Sequence, residues 1–213
     1  MIEAVPPTVE IQVHAGCRYT SLLQTGVDIM TTVPCSIGDF LDRLPGFSKD
    51  YIINRVQTIF LNSTAVDDME TPLSGTAPVV ALSAAMPGLA GAIFRRNSMH
   101  AALRSAKIPD FAAPSTQSRI IGVRLKLFNM VAAEKGEALF AAGVHCTGAG
   151  LLDFIAGHPA FLTSISRALF SGQELADSDL IKRLRTTDTI QLTIKMRGAI
   201  LPAKTTTKEA HHE

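Results

Sequence analysis

The residues that invite chemistry in this chain gather around one stretch. "VALSAAMPGLAGA", Val80 to Ala92, closes on Met86, Pro87, Gly88 and Gly91, and the basic residues Arg95, Arg96, Arg104 and Lys107 follow it. Glycines after a strand allow close backbone approach to a partner, so Met86, Pro87, Gly88 and Gly91 form a candidate docking turn. Clustered guanidinium and ammonium groups suit carboxylate or phosphate, so Arg95, Arg96, Arg104 and Lys107 form a candidate anion or partner site. The bland reading of that cluster, a solvated helix face, is favoured, because four basic residues in such a length are ordinary.

Other pairs invite a catalytic reading: Ser98 with His100, His145 with Cys146, and Asp153 with His158. None has a third group at a defined spacing, so no catalytic residue is assigned. Asp67 with Asp68 and Asp177 with Asp179 are paired carboxylates, but each pair sits at an expected turn, where aspartate serves the backbone. Cys17, Cys35 and Cys146 are odd in number and lack CxxC spacing, which points to buried free thiols over a disulfide framework or a zinc site. His211, His212 and Glu213 end a polar tail that holds no ligands in place, so no metal and no cofactor is expected. Walker, GxGxxG and HExxH patterns are missing.

The elements that must position these residues come from a chain of 213 residues, 46% hydrophobic and 18% charged, which marks a folded globular protein. A formal net charge of +1 gives no general attraction to nucleic acid. "MIEAVPPTVE" has neither a basic n-region nor an apolar h-region, so a cytoplasmic location is expected. The uncharged run Ala77 to Phe94 is interrupted by Pro78, Ser83, Pro87, Gly88 and Gly91, which favours a buried strand and a glycine turn over a membrane span.

The chain repeats itself. At an offset of 114 positions Val9, Ile11 and Val13 fall on Val123, Leu125 and Leu127, Asp39, Phe40 and Leu41 on Asp153, Phe154 and Ile155, and Pro45 and Phe47 on Pro159 and Phe161. At an offset of 110 "VALSAAMPG" lies on "IQLTIKMRG". Residues 16–35 find no good match. Each copy reads as an alternating strand, a helix capped by Ser36 with Asp39 in the first copy, a short strand, a turn at Asn62 and Ser63 or Ser171 and Gly172, and a closing strand. That is the β-grasp order. The expected fold is α+β, with two tandem ubiquitin-like domains, each a mixed sheet around one main helix: residues 1–92, a basic linker with a short helical face at 93–118, residues 119–201, and a disordered tail at 202–213.

Both halves resemble the MoaD/ThiS family of β-grasp sulfur carriers, most closely in "TIFLNSTAVDDMETPLSGTAPVVALSAAMPGLAG", Thr58 to Gly91. The resemblance implies docking to an adenylating or molybdopterin-synthase-like protein, and in true carriers a C-terminal Gly-Gly that becomes a thiocarboxylate. Here Leu89 and Ala90 separate Gly88 from Gly91 and the chain continues, so the sequence departs from a working carrier. The leading expectation is a non-catalytic partner-binding or scaffold protein. Its alternatives are a sulfur carrier released by cleavage near Gly91 and an enzyme with an anion site at the linker. A protein partner is expected and nucleic acid and membrane are not; the apolar content leaves a homo-oligomer open.

Overall fold

Alternation of apolar and polar residues sets the strands, as at β1 (Thr8–Val13), where Val9, Ile11 and Val13 are buried and Glu10 is exposed. The structure is a computed structural model that describes residues 5–73, 75–104 and 117–197. After β1 come α1 (Leu22–Thr25), β2 (Val27–Val33), α2 (Ile37–Asp42), α3 (Lys49–Asn54) and the strands β3 (Thr58–Leu61), β4 (Thr64–Ala65) and β5 (Val79–Ser83). Next are α4 (Gly88–Phe94) and a 3-10 turn at Ala101–Leu103. The second half runs through β6 (Arg119–Phe128), α5 (Asn129–Ala142), β7 (Val144–Thr147), α6 (Gly148–Gly157), α7 (Pro159–Thr163), β8 (Ile165–Phe170), β9 (Gln173–Glu174), α8 (Asp177–Arg185) and β10 (Thr189–Met196).

Written this way, the halves match element for element from β1 to β5 and from β6 to β10, with α8 the one addition. Ser36 closes a capping box with Asp39 at the start of α2, and Thr147 accepts the Gly150 N–H at the start of α6. Asn62 and Ser63 both carry positive φ, as do Ser171 and Gly172, the requirement of a two-residue type I′ hairpin. Residues 16–35, unmatched by sequence, align once seen in space. Gly26 and Gly143, with φ of 105° and 95°, end α1 and α5 and lead directly into β2 and β7.

The molecule is α+β, but its strands form one mixed ten-stranded sheet in the order β4-β3-β5-β6-β2-β7-β10-β1-β8-β9. The expectation of a separate sheet in each half meets a different pairing. β6, from the second half, lies antiparallel to β2 and parallel to β5. β1, from the first half, lies parallel to β10 and antiparallel to β8. The apolar pattern explains why this was hidden: β1 and β6 carry the same alternation, so either satisfies a central position, and the pattern does not say which copy supplies it. The two half-sheets meet at a single bridge, Asp28 with His145.

Because residues directly opposite share a face, Asp28 and His145 show that both halves turn the same side outward. Val27, Val144 and Cys146 lie on the other side, in a core that also takes Phe40, Leu41, Phe140, Leu151 and Phe154. Helices α1, α2, α5, α6 and α8 contribute to that core, and Tyr19 meets Phe140 edge-on at 5.4 Å where the two halves join. The pair Asp177 and Asp179, expected at a turn, instead opens α8, with Lys182, Arg183 and Arg185 in its last turn, each sign matching the helix dipole. The run Ala77 to Phe94 divides into β5 and α4, and among the described residues no helix is long and apolar enough to cross a membrane.

A polar clasp between α3 and α5 ties the halves together on the helical side. Glu134 accepts hydrogen bonds from Arg55 and from the Tyr51 hydroxyl, the latter at 2.7 Å, and Lys135 lies 3.8 Å from the Tyr51 ring centroid. The Arg55 and Tyr51 bonds hold the Glu134 carboxyl below its ordinary range. A depressed folded pKa gives stability that is present above the unfolded value, about 4.3, and is lost as pH falls through the folded one. Glu134→Gln therefore lowers the unfolding midpoint at neutral pH, and thermal melts from pH 7 to pH 2 should show the gap to the unsubstituted protein closing in the acid range.

Candidate functional site

The candidate docking turn is helical. Past β5 the chain turns through Met86 and Pro87, Gly88 takes φ of 71°, and Gly88 to Phe94 wind into α4. Gly91 is buried with its Cα against the Met86 carbonyl; a Cβ there would fall 1.7 Å from that oxygen, so only glycine fits. Phe94 packs on Phe60 with ring centroids 5.3 Å apart. Phe60 alternates with the buried Ile59 and Leu61, so α4 lies on the outward face of the sheet, opposite the other helices.

Two of the four expected anion-site residues hold this segment down. Arg104, with a side chain 14% exposed, donates to the carbonyls of Ile93 (2.9 Å) and Arg95 (2.7 Å) and to the Asp67 carboxylate (2.7 Å). Asp67 also accepts the Asn97 N–H at 3.2 Å. The Arg96 N–H reaches the Gln57 carbonyl, and its guanidinium reaches the Ile52 carbonyl and the Met69 sulfur. Burial lowers the Arg96 pKa, and its Nε has no partner among the described residues. Arg95 is exposed, and Lys107 lies outside the described residues. The helical face expected at Met99, Ala102 and Leu103 is the short 3-10 turn, and Leu89, Met99 and Leu103 stand 71%, 89% and 64% exposed around it.

The catalytic pairs do not assemble. The Ser98 hydroxyl donates to the Ala92 carbonyl and accepts the His100 N–H, a turn-building role. His145 faces outward from β7 while Cys146 points into the core, where burial pushes its thiol up to about 12. His158 Nδ1 lies 2.9 Å from the Phe154 carbonyl and its ring stacks on Phe154. Cys35 is buried and its thiol raised by that burial, whereas Cys17 is partly exposed at a cavity of about 490 Å³ shared with Arg18, His158 and Ser164. No group of residues suited to a metal ion occurs among the described residues.

Sequence reasoning missed the outward row at the seam. Arg124 grips Asp28 with both arms, Nε to Oδ1 at 2.6 Å and Nη2 to Oδ2 at 3.0 Å. His145 and Gln191 continue the row on the neighbouring strands. Only pairing across the exchanged strand β6 brings Asp28 and Arg124 together, so no local signal announces it. No family model, curated protein or solved structure matches this chain.

Two outcomes follow from this geometry. Gly91→Ala drives a methyl into the Met86 carbonyl and should cost at least about 3 kcal/mol in chemical denaturation. Iodoacetamide at pH 8 should label Cys17 in the native protein and leave Cys146 unlabelled until denaturant is added, as peptide mass mapping would show.

Proposed function

We propose that this chain is a non-catalytic partner-binding or scaffold protein, built from two divergent β-grasp copies related to the MoaD/ThiS carriers. Matching element order, paired type I′ hairpins and the Gly26 and Gly143 turns support the duplication. The observation that carries the function is the fate of the residues after β5. In a carrier they form a free glycine tail; here they wind into α4, pinned to α3 by Arg96 and to the loop after β4 by Arg104. The pinned segment offers Leu89, Met99 and Leu103 to solvent, apolar groups on a rigid support, as a docking surface for a protein partner requires. Arg104 and the terminal nitrogens of Arg96 donate to the protein's own acceptors, which supports docking over an anion-binding enzyme at the linker.

The test is the intact mass of untagged protein from its native cell, paired with isolation of the L89S/M99S/L103S variant. The expected result is an uncleaved chain, with a companion protein that accompanies the unsubstituted form and is lost from the triple variant. A species ending near Gly91, with sulfur in place of one carboxyl oxygen, would make the chain a processed carrier and overturn the scaffold reading.

A further inference from the structure

Both outer margins of the sheet end in two-residue strands, β4 and β9, too short to recruit another chain. The seam inside the sheet is different. β7 starts only at Val144, which the antiparallel register of Asp28 with His145 sets opposite Ile29, so beyond that point β2 runs on through Met30, Thr31, Thr32 and Val33 with no strand on its β7 side among the described residues. Its other side is fully paired, since the ladder with β6 continues to Val33 opposite Arg119. Half of the backbone groups of such a strand therefore point into the opening, with no strand partner among the described residues.

The opening is roomy and chemically distinct. A cavity of about 450 Å³ lies against residues 29–32, walled on the helical side by Phe40, Arg43 and Leu44 of α2 and the turn after it. Met30 is 49% exposed, and Ile120, opposite Thr32 on β6, is 69% exposed. Natural edges are usually guarded by lysine, proline or a bulge within the strand. The segment "IMTTV" has none of these: it is apolar or β-branched and uncharged, the composition that pairs most readily.

Charge selects the occupant. The Arg43 side chain lines the cavity and makes no hydrogen bond or close ion pair among the described residues; its backbone N–H donates to the Phe40 carbonyl at the end of α2. Asp39, one helical turn back, is held below its ordinary range first by its bonds with Ser36 and then by the charges of Arg43 and Lys49, and Asp42 pairs with Lys49 at 3.5 Å, so neither carboxylate bonds the guanidinium directly. A guanidinium at the mouth of an unpaired edge fits a strand that brings a carboxylate.

We infer that the free edge of β2, Met30 to Val33, is a strand-addition site that takes an extended acidic peptide from a partner protein, its backbone pairing with β2 and its carboxylate meeting Arg43. The inference rests on the partner-binding reading but uses a different surface from the α4 segment. Main-chain pairing supplies affinity; alternate side chains contact Met30 and Ile120 on one side and the Phe40 and Leu44 wall on the other.

The test uses the full chain and a fluorescent, end-capped heptapeptide of alternating threonine and valine with one central glutamate. Saturable binding by polarisation is expected, abolished when a proline interrupts the peptide, and weakened about tenfold by Arg43→Glu. The same variant should prefer the peptide with lysine in place of glutamate, and hydrogen exchange at Met30 to Val33 should slow when the glutamate peptide binds. The proposal is overturned by absence of binding, by affinity indifferent to Arg43→Glu, or by exchange already slow in the free protein. In that last case, speeding of exchange after truncation behind Arg197 would assign the edge to the chain's own C-terminal segment, and dependence on protein concentration would assign it to a second copy. Each of these leaves the α4 surface to be judged separately by the L89S/M99S/L103S comparison.

Discussion

The position of β6 between β2 and β5 is the constraint on which the rest of the molecule depends. Its ladders run antiparallel to one neighbour and parallel to the other, and both neighbours belong to the opposite half of the sequence. With β6 seated there, β1 is left to complete the far half, where it lies between β10 and β8. Neither half can then bury its apolar strand faces without a strand from the other. The Asp28–Arg124 ion pair, the clasp of Glu134 with Tyr51 and Arg55, and the contact of Tyr19 with Phe140 all follow from that exchange. The cost is kinetic, because β1 waits for partners about 150 to 180 residues later in the chain, and such distant pairing slows folding.

The same exchange explains why the seam is weak. Two half-sheets that are each well paired internally need little from each other along β2 and β7, and one bridge suffices. The helical layer takes up the remaining cohesion, with α1 on β6 and α5 against β5, β6 and β10. On the outward side α4 stands alone against Phe60, so its seven residues turn the strand exit into a rigid fixture. Function in this reading belongs to surfaces and edges. Ser98 is used up in a turn, Cys146 in the core and His158 in a ring stack on Phe154.

Much of the local structure was legible in the residues. The Ser36 and Asp39 cap, the hairpin turns at Asn62 and Ser171, and the strands at Thr8, Val79 and Thr189 follow from spacing that local physics reads directly. α8 was legible too, since Leu180 and Leu184 are one turn apart between acidic and basic ends, but the aspartates at its start read equally well as a turn. α5 was not, because Val131, Ala132, Leu139 and Phe140 bury several of its sides and leave no single stripe. The exchange of β1 and β6 was illegible in principle: identical alternation makes the two strands interchangeable to any local reading. At the candidate site, the segment from Met86 to Arg104 stood out in the sequence, but its helical form depended on a backbone contact between Met86 and Gly91 that spacing does not reveal.

The parallel pair of β1 and β10 has one further consequence. From Thr8 opposite Gln191 to Val13 opposite Met196 the two strands advance together, so the chain leaves β1 backward at Pro7 and β10 forward at Arg197, at opposite ends of the same ladder. Tension applied between those two points would load every rung of that ladder in shear at once, whereas tension across a hairpin opens rungs in turn. A protein that holds others in place would meet stretching along this axis with its strongest geometry.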